Sequence, residues 1–297
     1  MAKKRHSLII VLSILFAVAL FLVTTMVISL KVFSPASDLS FDEKIGVVLL
    51  EGPILESRRI ISQIADFNRQ DSVKAIILRI DSPGGAVGPT QEIYREIRKT
   101  VRNKKVVASI GGIAASGGFY VAAAADRIVA NPGAITGSIG VIMEFMRFEE
   151  LLKKVGISLE VIKSGEFKDI GSPHRELTER DRELLKGLID DIEEQFVKDV
   201  ARARGISIDE LSKIADGRIF SARRAKELGL IDRLGNFHDA VDLAKELTHI
   251  KGEVKLVYPR KGKLELLDLL MQSAAKAFVR TFRDRPEMVE YMWEGIR

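Results

Sequence analysis

The sequence contains no cysteine and only four histidines among its 297 residues. The missing cysteine excludes disulfide bonds, zinc–thiolate sites and a cysteine nucleophile, and it is compatible with any redox compartment. A general base must come from the few histidines or from the lysines, which together with the arginines number 46.

The sequence also lacks the usual signals of nucleotide and nucleic-acid binding. Its formal net charge is +5, but the basic residues are dispersed among 41 acids and form no stripe interleaved with aromatics. This pattern argues against nucleic-acid binding and fits a surface near anionic lipid. The glycine-rich turns match neither a P-loop nor G-x-G-x-x-G, and there is no tandem repeat or low-complexity tract. No cofactor or metal site is predicted.

One long apolar run stands near the N-terminus. Residues Leu8 to Leu30 contain no charge, and a bilayer core needs roughly 20 such residues in a helix. Basic residues from Lys3 to His6 precede the run, so the positive-inside bias predicts a cytoplasmic N-terminus and an extracytoplasmic body. The alternative is a cleaved signal peptide, whose apolar stretch is usually shorter, about 7–15 residues. We favour an uncleaved single-pass anchor in the cell membrane.

The body alternates short β-branched runs with helical patterns, which favours βαβ units and a mostly parallel sheet. The predicted strands are Lys44–Gly52, Val73–Ile80, Lys105–Ile110, Arg127–Asn131 and Ser158–Gly165. Helices are predicted over 90–102, 116–125 and 178–204, the last with Thr178 and Asp181 as a variant capping box. Three shorter helices follow, so the C-terminal half is helical.

The same patterns divide the chain into consecutive segments. They are a basic tail (1–7), a transmembrane anchor (8–30), a linker (31–43), one α/β domain (44–250) and a C-terminal strand with an amphipathic helical extension (251–297). In the extension, Lys263–Arg283 carries leucines at helical spacing. We favour a packing or partner-binding helix there over membrane-surface attachment.

Two glycine turns follow neighbouring strands. "DSPGGA" (Asp81–Ala86) ends one strand, and "IAASGG" (Ile113–Gly118) ends the next along the chain. In a parallel sheet both turns lie at the same edge, where active sites gather. Bare backbone N–H groups there suit a phosphate or an oxyanion equally well. Ser116 is then either a nucleophile with open access or an ordinary helix cap.

A serine nucleophile needs a base. His6, His238 and His249 lie in unsuitable contexts, while His174, in a polar loop, is not excluded by spacing. Lys168 is the other candidate, since it follows a predicted strand and a glycine turn. A lysine acts as a base only when burial or nearby positive charge lowers its pKa toward neutrality.

Four stretches together resemble the signal peptide peptidase A family, in its short, membrane-anchored form with one copy of the domain. They are "DSPGG", "AASGGFYVAAAADRIVANPGAITGSIGV", "GISLEVIKSGEFKDIGSP" and "DGRIFSARRAKELGLIDRLG". The resemblance covers roughly Ile45–Ala244. It implies an α/β fold of the Clp protease/crotonase superfamily and a serine/lysine-dyad endopeptidase. Ala86 stands where many relatives have a third glycine.

The resemblance also implies roles for individual residues. Ser116 would be the nucleophile and Lys168 the general base, with the Ser138 hydroxyl orienting the lysine. The N–H groups of Gly85 and Gly117 would form the oxyanion hole. No metal or cofactor takes part.

The implied substrates are cleaved signal peptides and other short hydrophobic peptides in or near the membrane. The implied assembly is a ring- or dome-shaped homo-oligomer with clefts shared between neighbours. Two alternatives stay open: a related membrane protease that cuts a stomatin-like partner, and a crotonase-like enzyme acting on acyl-thioesters. The second would need neither Ser116 nor Lys168.

Overall fold

The computed structural model describes residues 17–26 and 43–259, which belong to two separate compact units. Residues 17–26, here α1, are helical with exposed side chains. No helix within the described residues is both long enough and apolar enough to cross a membrane. The remainder of the predicted span 8–30, most of the predicted linker and the predicted helix Lys263–Arg283 lie outside those residues.

The body is built on one eight-stranded sheet. All described strand pairs are parallel except β5 with β6. The strand order is β6-β5-β3-β2-β1-β8, with β4 also pairing with β3 and β7. The strands are β1 (Lys44–Glu51), β2 (Val73–Ser82), β3 (Lys105–Ala115), β4 (Arg127–Ala130), β5 (Ile135–Gly137), β6 (Ile219–Ser221), β7 (Arg233–Leu234) and β8 (Lys255–Val257).

Helices cover both faces of this sheet. Successive side chains of a strand point to opposite faces, and β1, β2 and β3 are buried along most of their length, so both faces must be covered. Ile45, Ile77 and Val107 pack with one C-terminal helix, and their neighbours along the strands face the larger core. The helices of the body are α2 (Arg58–Arg69), α3 (Val87–Thr100), α4 (Gly117–Ala123), α5 (Glu149–Lys154), α6 (Glu179–Arg204), α7 (Ile208–Ser212), α8 (Ala222–Glu227) and α9 (Phe237–Thr248). The predicted α/β class with parallel strands is confirmed.

The register of β3 places the two glycine turns side by side. Ser82 at the end of β2 pairs with Ala114, and Ala115 at the end of β3 pairs with Gly137 at the end of β5. The first half of β3 pairs with β4 and its last three residues with β5. Three chain segments therefore leave the sheet together at one edge.

The predicted capping box of α6 is present. The Thr178 hydroxyl accepts from the Asp181 amide, and the Asp181 carboxylate accepts from the Thr178 amide. The predicted strand Ser158–Gly165 is wrong: residues 158–163 adopt no regular structure and pair with no strand. An apolar, β-prone run forms a strand only where a partner and a buried face are available. Here Leu159, Val161 and Ile162 are exposed.

Candidate active site

Ser116 stands at the junction of β3 and α4 in a conformation that serine rarely adopts. Its φ is 52° and its ψ is −122°. The backbone is held there by a hydrogen bond from the Ser116 amide to the Gly137 carbonyl (2.8 Å) and one from the Tyr120 amide to the Ser116 carbonyl (2.9 Å). A non-glycine residue at such a φ costs free energy and is typical of functional sites.

The Ser116 hydroxyl is not used as a helix cap. The residue occupies the N-cap position of α4, but its side chain accepts no hydrogen bond from the first turn. The side chain is partly exposed, whereas every residue of α4 itself is buried. The hydroxyl is therefore available to react, which favours the nucleophile over the capping interpretation.

Two backbone amides beside Ser116 are suited to an oxyanion. In the turn after β2, the Ile54 amide donates to Gly84 and the Ala86 amide donates to Ile54, so the intervening Gly85 amide faces the other way. Gly117 is the first residue of α4, where an amide has no partner within its helix. Within the described residues, neither the Gly85 nor the Gly117 amide donates a backbone hydrogen bond.

The backbones of these turns approach so closely that side chains would not fit. A Cβ on Gly84 would lie 2.8 Å from the Gly117 nitrogen, and one on Gly85 only 2.2 Å from the Ile54 oxygen. A Cβ on Gly117 would lie 2.8 Å from the Thr90 hydroxyl oxygen and 3.3 Å from the Gly85 nitrogen. The glycines therefore bring two free N–H groups beside one hydroxyl, an arrangement that can stabilise a tetrahedral oxyanion.

Ser138, after the neighbouring strand, has a positive φ like that of Ser116. It follows β5 with a φ of 53°, and its amide donates to the Arg218 carbonyl (2.8 Å). Gly137, the residue before it, accepts the hydrogen bond from Ser116. Both hydroxyl-bearing residues thus leave paired parallel strands at the same level of the sheet.

A cavity of about 650 Å³ opens at this edge. It brings together Gly85, Ser116, Gly117 and Ser138, four of the five residues predicted from the sequence. Its apolar lining comes from the segments after β2 and β5 and from α3, α4 and α6: Pro83, Val87, Tyr120, Val141, Ile142, Ile192 and Phe196. Such a lining suits an apolar side chain of a peptide.

An aromatic cluster fixes the inner wall of the cavity. The Tyr120 ring stacks on Phe196 with ring centroids 4.5 Å apart, and the Tyr120 hydroxyl donates to the Asp199 carboxylate. The Tyr94 hydroxyl donates to the Asp199 carbonyl (2.9 Å). Burial, reinforced by Asp199, raises the pKa of Tyr120 well above its usual range and that of Tyr94 to about 12. Both hydroxyls are therefore neutral donors at ordinary pH.

The mouth of the cavity carries acidic residues. Asp216 forms an ion pair with Arg218, whose Nε lies 2.6 Å from the carboxylate, and this contact lowers the pKa of Asp216 to about 2. Glu193 of α6 also lines the cavity. Within residues 17–26 and 43–259 there is no group of three or more acidic or histidine side chains that could hold a metal ion.

Lys168 does not line the cavity of the single chain. It lies in a 3-10 helix, Glu166–Asp169, and its side chain is exposed. His174, the alternative base, does not line the cavity either, and its ring contacts the Ser172 hydroxyl instead (2.8 Å). His238 and His249 belong to α9 and its C-cap, which packs against the other face of the sheet.

The sequence patterns did not indicate several of the residues that line the cavity. Ile192 and Phe196 lie four residues apart on α6, a spacing that indicates one helical face but not what that face covers. Gln91 and Tyr120 reach the site from α3 and α4, and Asp216–Gly217 from the loop before β6. Only the long-range packing of α3, α4 and α6 brings these residues together.

Comparison with known proteins identifies the domain. The model of Peptidase family S49 matches residues 98–251, and the Clp protease model matches residues 43–134. The Ser116 turn falls in the stretch that both models share. The S49 match spans about half of the chain and includes Ser138 and Lys168 as well as Ser116.

Relatives with assigned names agree with this match. The chain is 45% identical over 206 residues to the protein named "Putative protease slr0021" of Synechocystis, covering 69% of this chain and 74% of that one. It is 32% identical to "Serine protease SPPA, chloroplastic" of Arabidopsis thaliana over 76% of this chain and 34% of that longer protein. It is 34% identical to "Protease 4" of Salmonella typhi, over 70% and 35% respectively.

These matches confirm the resemblance to the signal peptide peptidase A family that the sequence motifs indicate. Both the fold and the sequence relationships place the domain among the Clp protease-like proteins. The chain belongs to peptidase family S49, the family of signal peptide peptidase A.

Proposed function

We propose that this protease is a serine endopeptidase in which Ser116 attacks the peptide carbonyl and Lys168 is the general base. The observation that carries the proposal is the placement of a strained, uncapped Ser116 beside two free glycine amides in one cavity. A hydroxyl and two oxyanion donors beside a cavity that can hold the substrate are parts that acyl transfer requires.

The proposed reaction proceeds through an acyl-enzyme. The Lys168 amine takes the proton from the Ser116 hydroxyl as its oxygen bonds to the substrate carbonyl carbon. The carbonyl oxygen becomes an anion and accepts from the Gly85 and Gly117 amides. The resulting ammonium returns the proton to the leaving amine as the peptide bond breaks, and water, deprotonated by Lys168, then releases the acyl group. Ser138 would hydrogen-bond to the lysine and orient it.

We propose further that Lys168 reaches Ser116 from a neighbouring copy of the chain. Lys168 is exposed and does not line the cavity of its own chain. Between Ile142 and Ile162 large apolar side chains are exposed, and Ile162 is 95% exposed. An exposed apolar segment of this kind is typical of an interface between subunits. A head-to-tail ring would bury it at every subunit and place each Lys168 at a neighbour's cleft.

The proposed substrates are cleaved signal peptides and other short hydrophobic peptides. The aliphatic and aromatic lining of the cavity supports this class, because burial of an apolar side chain supplies binding energy without buried hydrogen-bond partners. The apolar run Leu8–Leu30 and the basic residues before it support a membrane-anchored protein with an extracytoplasmic catalytic domain.

Complementation between two inactive variants tests the dyad and its assembly together. Ser116→Ala and Lys168→Ala should each abolish hydrolysis of a fluorogenic hydrophobic peptide. If the dyad crosses subunits of a ring, co-assembly in equal amounts should restore roughly a quarter of the wild-type rate, because one site in four receives both residues. No recovery on co-assembly would place both residues in one chain. Activity in either variant alone would contradict the dyad.

A further inference from the structure

The 3-10 helix that carries Lys168 is held in place through the side chains around the lysine. Arg180 of α6 forms an ion pair with Glu166 (2.8 Å), and its guanidinium lies 5.5 Å from the centre of the Phe167 ring. Asp169 accepts from both Lys163 and Arg175 (2.8 Å each). Lys168 itself has no side-chain hydrogen bond or ion pair within the described residues. Its neighbours anchor the segment and its own amine is left available.

Arg175 joins this segment to the start of α6. One terminal nitrogen of its guanidinium lies 2.8 Å from the Asp169 carboxylate, and the other lies 2.6 Å from the Asp181 carboxylate. Asp181 is also the third residue of α6 and closes the capping box with Thr178. The contacts with Arg175 lower the pKa of Asp181 to about 2 and hold that of Asp169 well below its usual range.

The Asp169–Arg175–Asp181 bridge is better protected from solvent than the Arg180–Glu166 ion pair, which links the same two elements. The side chains of Arg175, Asp169 and Asp181 are 23%, 13% and 2% exposed, against 68% and 49% for Arg180 and Glu166. Exposed ion pairs contribute little to stability. A planar guanidinium between two shielded carboxylates, by contrast, fixes the relative positions of the two segments that carry them. Lysine offers a single point charge and does not reproduce this planar geometry.

A four-residue 3-10 helix does not hold its position by itself, because such short turns have few and poorly aligned hydrogen bonds. We propose that Arg175 is a positioning residue for the catalytic base. By tying Asp169 to the first turn of α6, it sets the position of the Lys168 side chain and the direction in which that side chain projects. The inference rests on the proposed role of Lys168 as the base. It assigns to the Arg175 bridge a part in catalysis in addition to any part in folding.

The test compares kinetics with stability in the full-length protein. Arg175→Gln should lower kcat for a fluorogenic hydrophobic peptide by about 100-fold, because a displacement of about 1 Å in a catalytic group costs that much. KM should stay within about twofold, since the cavity does not include Arg175. Arg175→Lys should recover part of kcat. Arg180→Gln, which breaks the more exposed link, is the matched control and should keep kcat within about threefold.

Asp169→Asn provides a second variant. It removes the charge at one end of the bridge and so weakens the contacts from Arg175 and Lys163, but it leaves Arg175–Asp181 and the cap of α6 intact. It should lower kcat like Arg175→Gln, and the double variant should be no worse than either single one. A kcat near wild type in Asp169→Asn, or a loss of kcat matched by a fall in melting temperature into the assay range, would overturn the inference. Lys168→Ala is measured alongside. If it stays active, the proposed function has failed. If it is inactive while Asp169→Asn retains full kcat, only the positioning role has failed.

Discussion

The amide of Ser116 donates a hydrogen bond to the carbonyl of Gly137, so Ser116 and Ser138 end two paired strands side by side. Both serines have φ values near 50°, in a region that non-glycine residues seldom occupy. Parallel pairing of β3 with β5 thus aligns two strained serines at one edge of the sheet. Neither position is explained by helix capping, and both line the same cavity. The shared geometry supports the proposed part of the two hydroxyls in one reaction.

Ser138→Ala should lower kcat by roughly 10- to 100-fold without abolishing it. The expected loss is that of one hydrogen bond to a charged partner, about 1.5–3 kcal/mol. Alanine and serine bear similar strain at this φ, so the melting temperature should change little. Peptide hydrolysis and thermal unfolding of the same preparation check both parts. A kcat within twofold of wild type would remove Ser138 from the catalytic machinery.

Gly85→Ala should disable the proposed oxyanion hole. Its Cβ would fall 2.2 Å from the Ile54 oxygen, so the turn must move and carry the Gly85 amide with it. Loss of one such donor typically costs 100- to 1,000-fold in kcat.

Gly88→Ala, three residues along in α3, is the matched control, because nothing lies within 4 Å of the added methyl. It should retain activity. Equal loss of activity in both variants would contradict the proposed role of the Gly85 amide.

Tyr120→Phe should destabilise the domain by about 1–3 kcal/mol, because the half-buried Asp199 carboxylate loses a donor. The pKa of Tyr120 is raised in the folded state, so its contribution is fully present below pH of about 10 and is lost as pH rises toward the folded value. The free energy of unfolding should therefore fall more steeply above pH 10 in the wild type than in the variant. Chemical denaturation at pH 8, 10 and 11 measures this.

Tyr258→Phe serves as the control for that experiment, since Tyr258 is exposed. It should match wild type at every pH. If Tyr120→Phe also matches wild type at pH 8, the Tyr120–Asp199 contact does not stabilise the junction of α4 and α6.

The predicted orientation places the body from Phe41 onward outside the cytoplasm. Protease added to intact spheroplasts should then digest or release the domain, because the basic residues from Lys3 to His6 retain the N-terminus inside. Immunoblotting with an antibody to the body measures its survival. Full protection until lysis would reverse the orientation.

Local sequence patterns predicted the strands and turns that form the site. The lining of the cavity between them depends on long-range packing. The runs that became β2 and β3, and the glycine turns after them, follow from β-branched composition and backbone sterics. The Thr178–Asp181 capping box is equally local. The run Ser158–Gly165 has the composition of a strand but finds no partner. The Tyr120–Asp199 contact joins residues 79 positions apart and has no local signal.

Labelling with a fluorophosphonate, followed by mapping of the modified peptide, is the most direct test of the nucleophile and its base. We expect one adduct, on the Ser116 oxygen, formed at least about 100-fold more slowly in Lys168→Ala and at an unchanged rate in His174→Ala. Modification of another residue would contradict the assignment of Ser116. A normal rate in Lys168→Ala together with loss of labelling in His174→Ala would contradict the serine/lysine dyad.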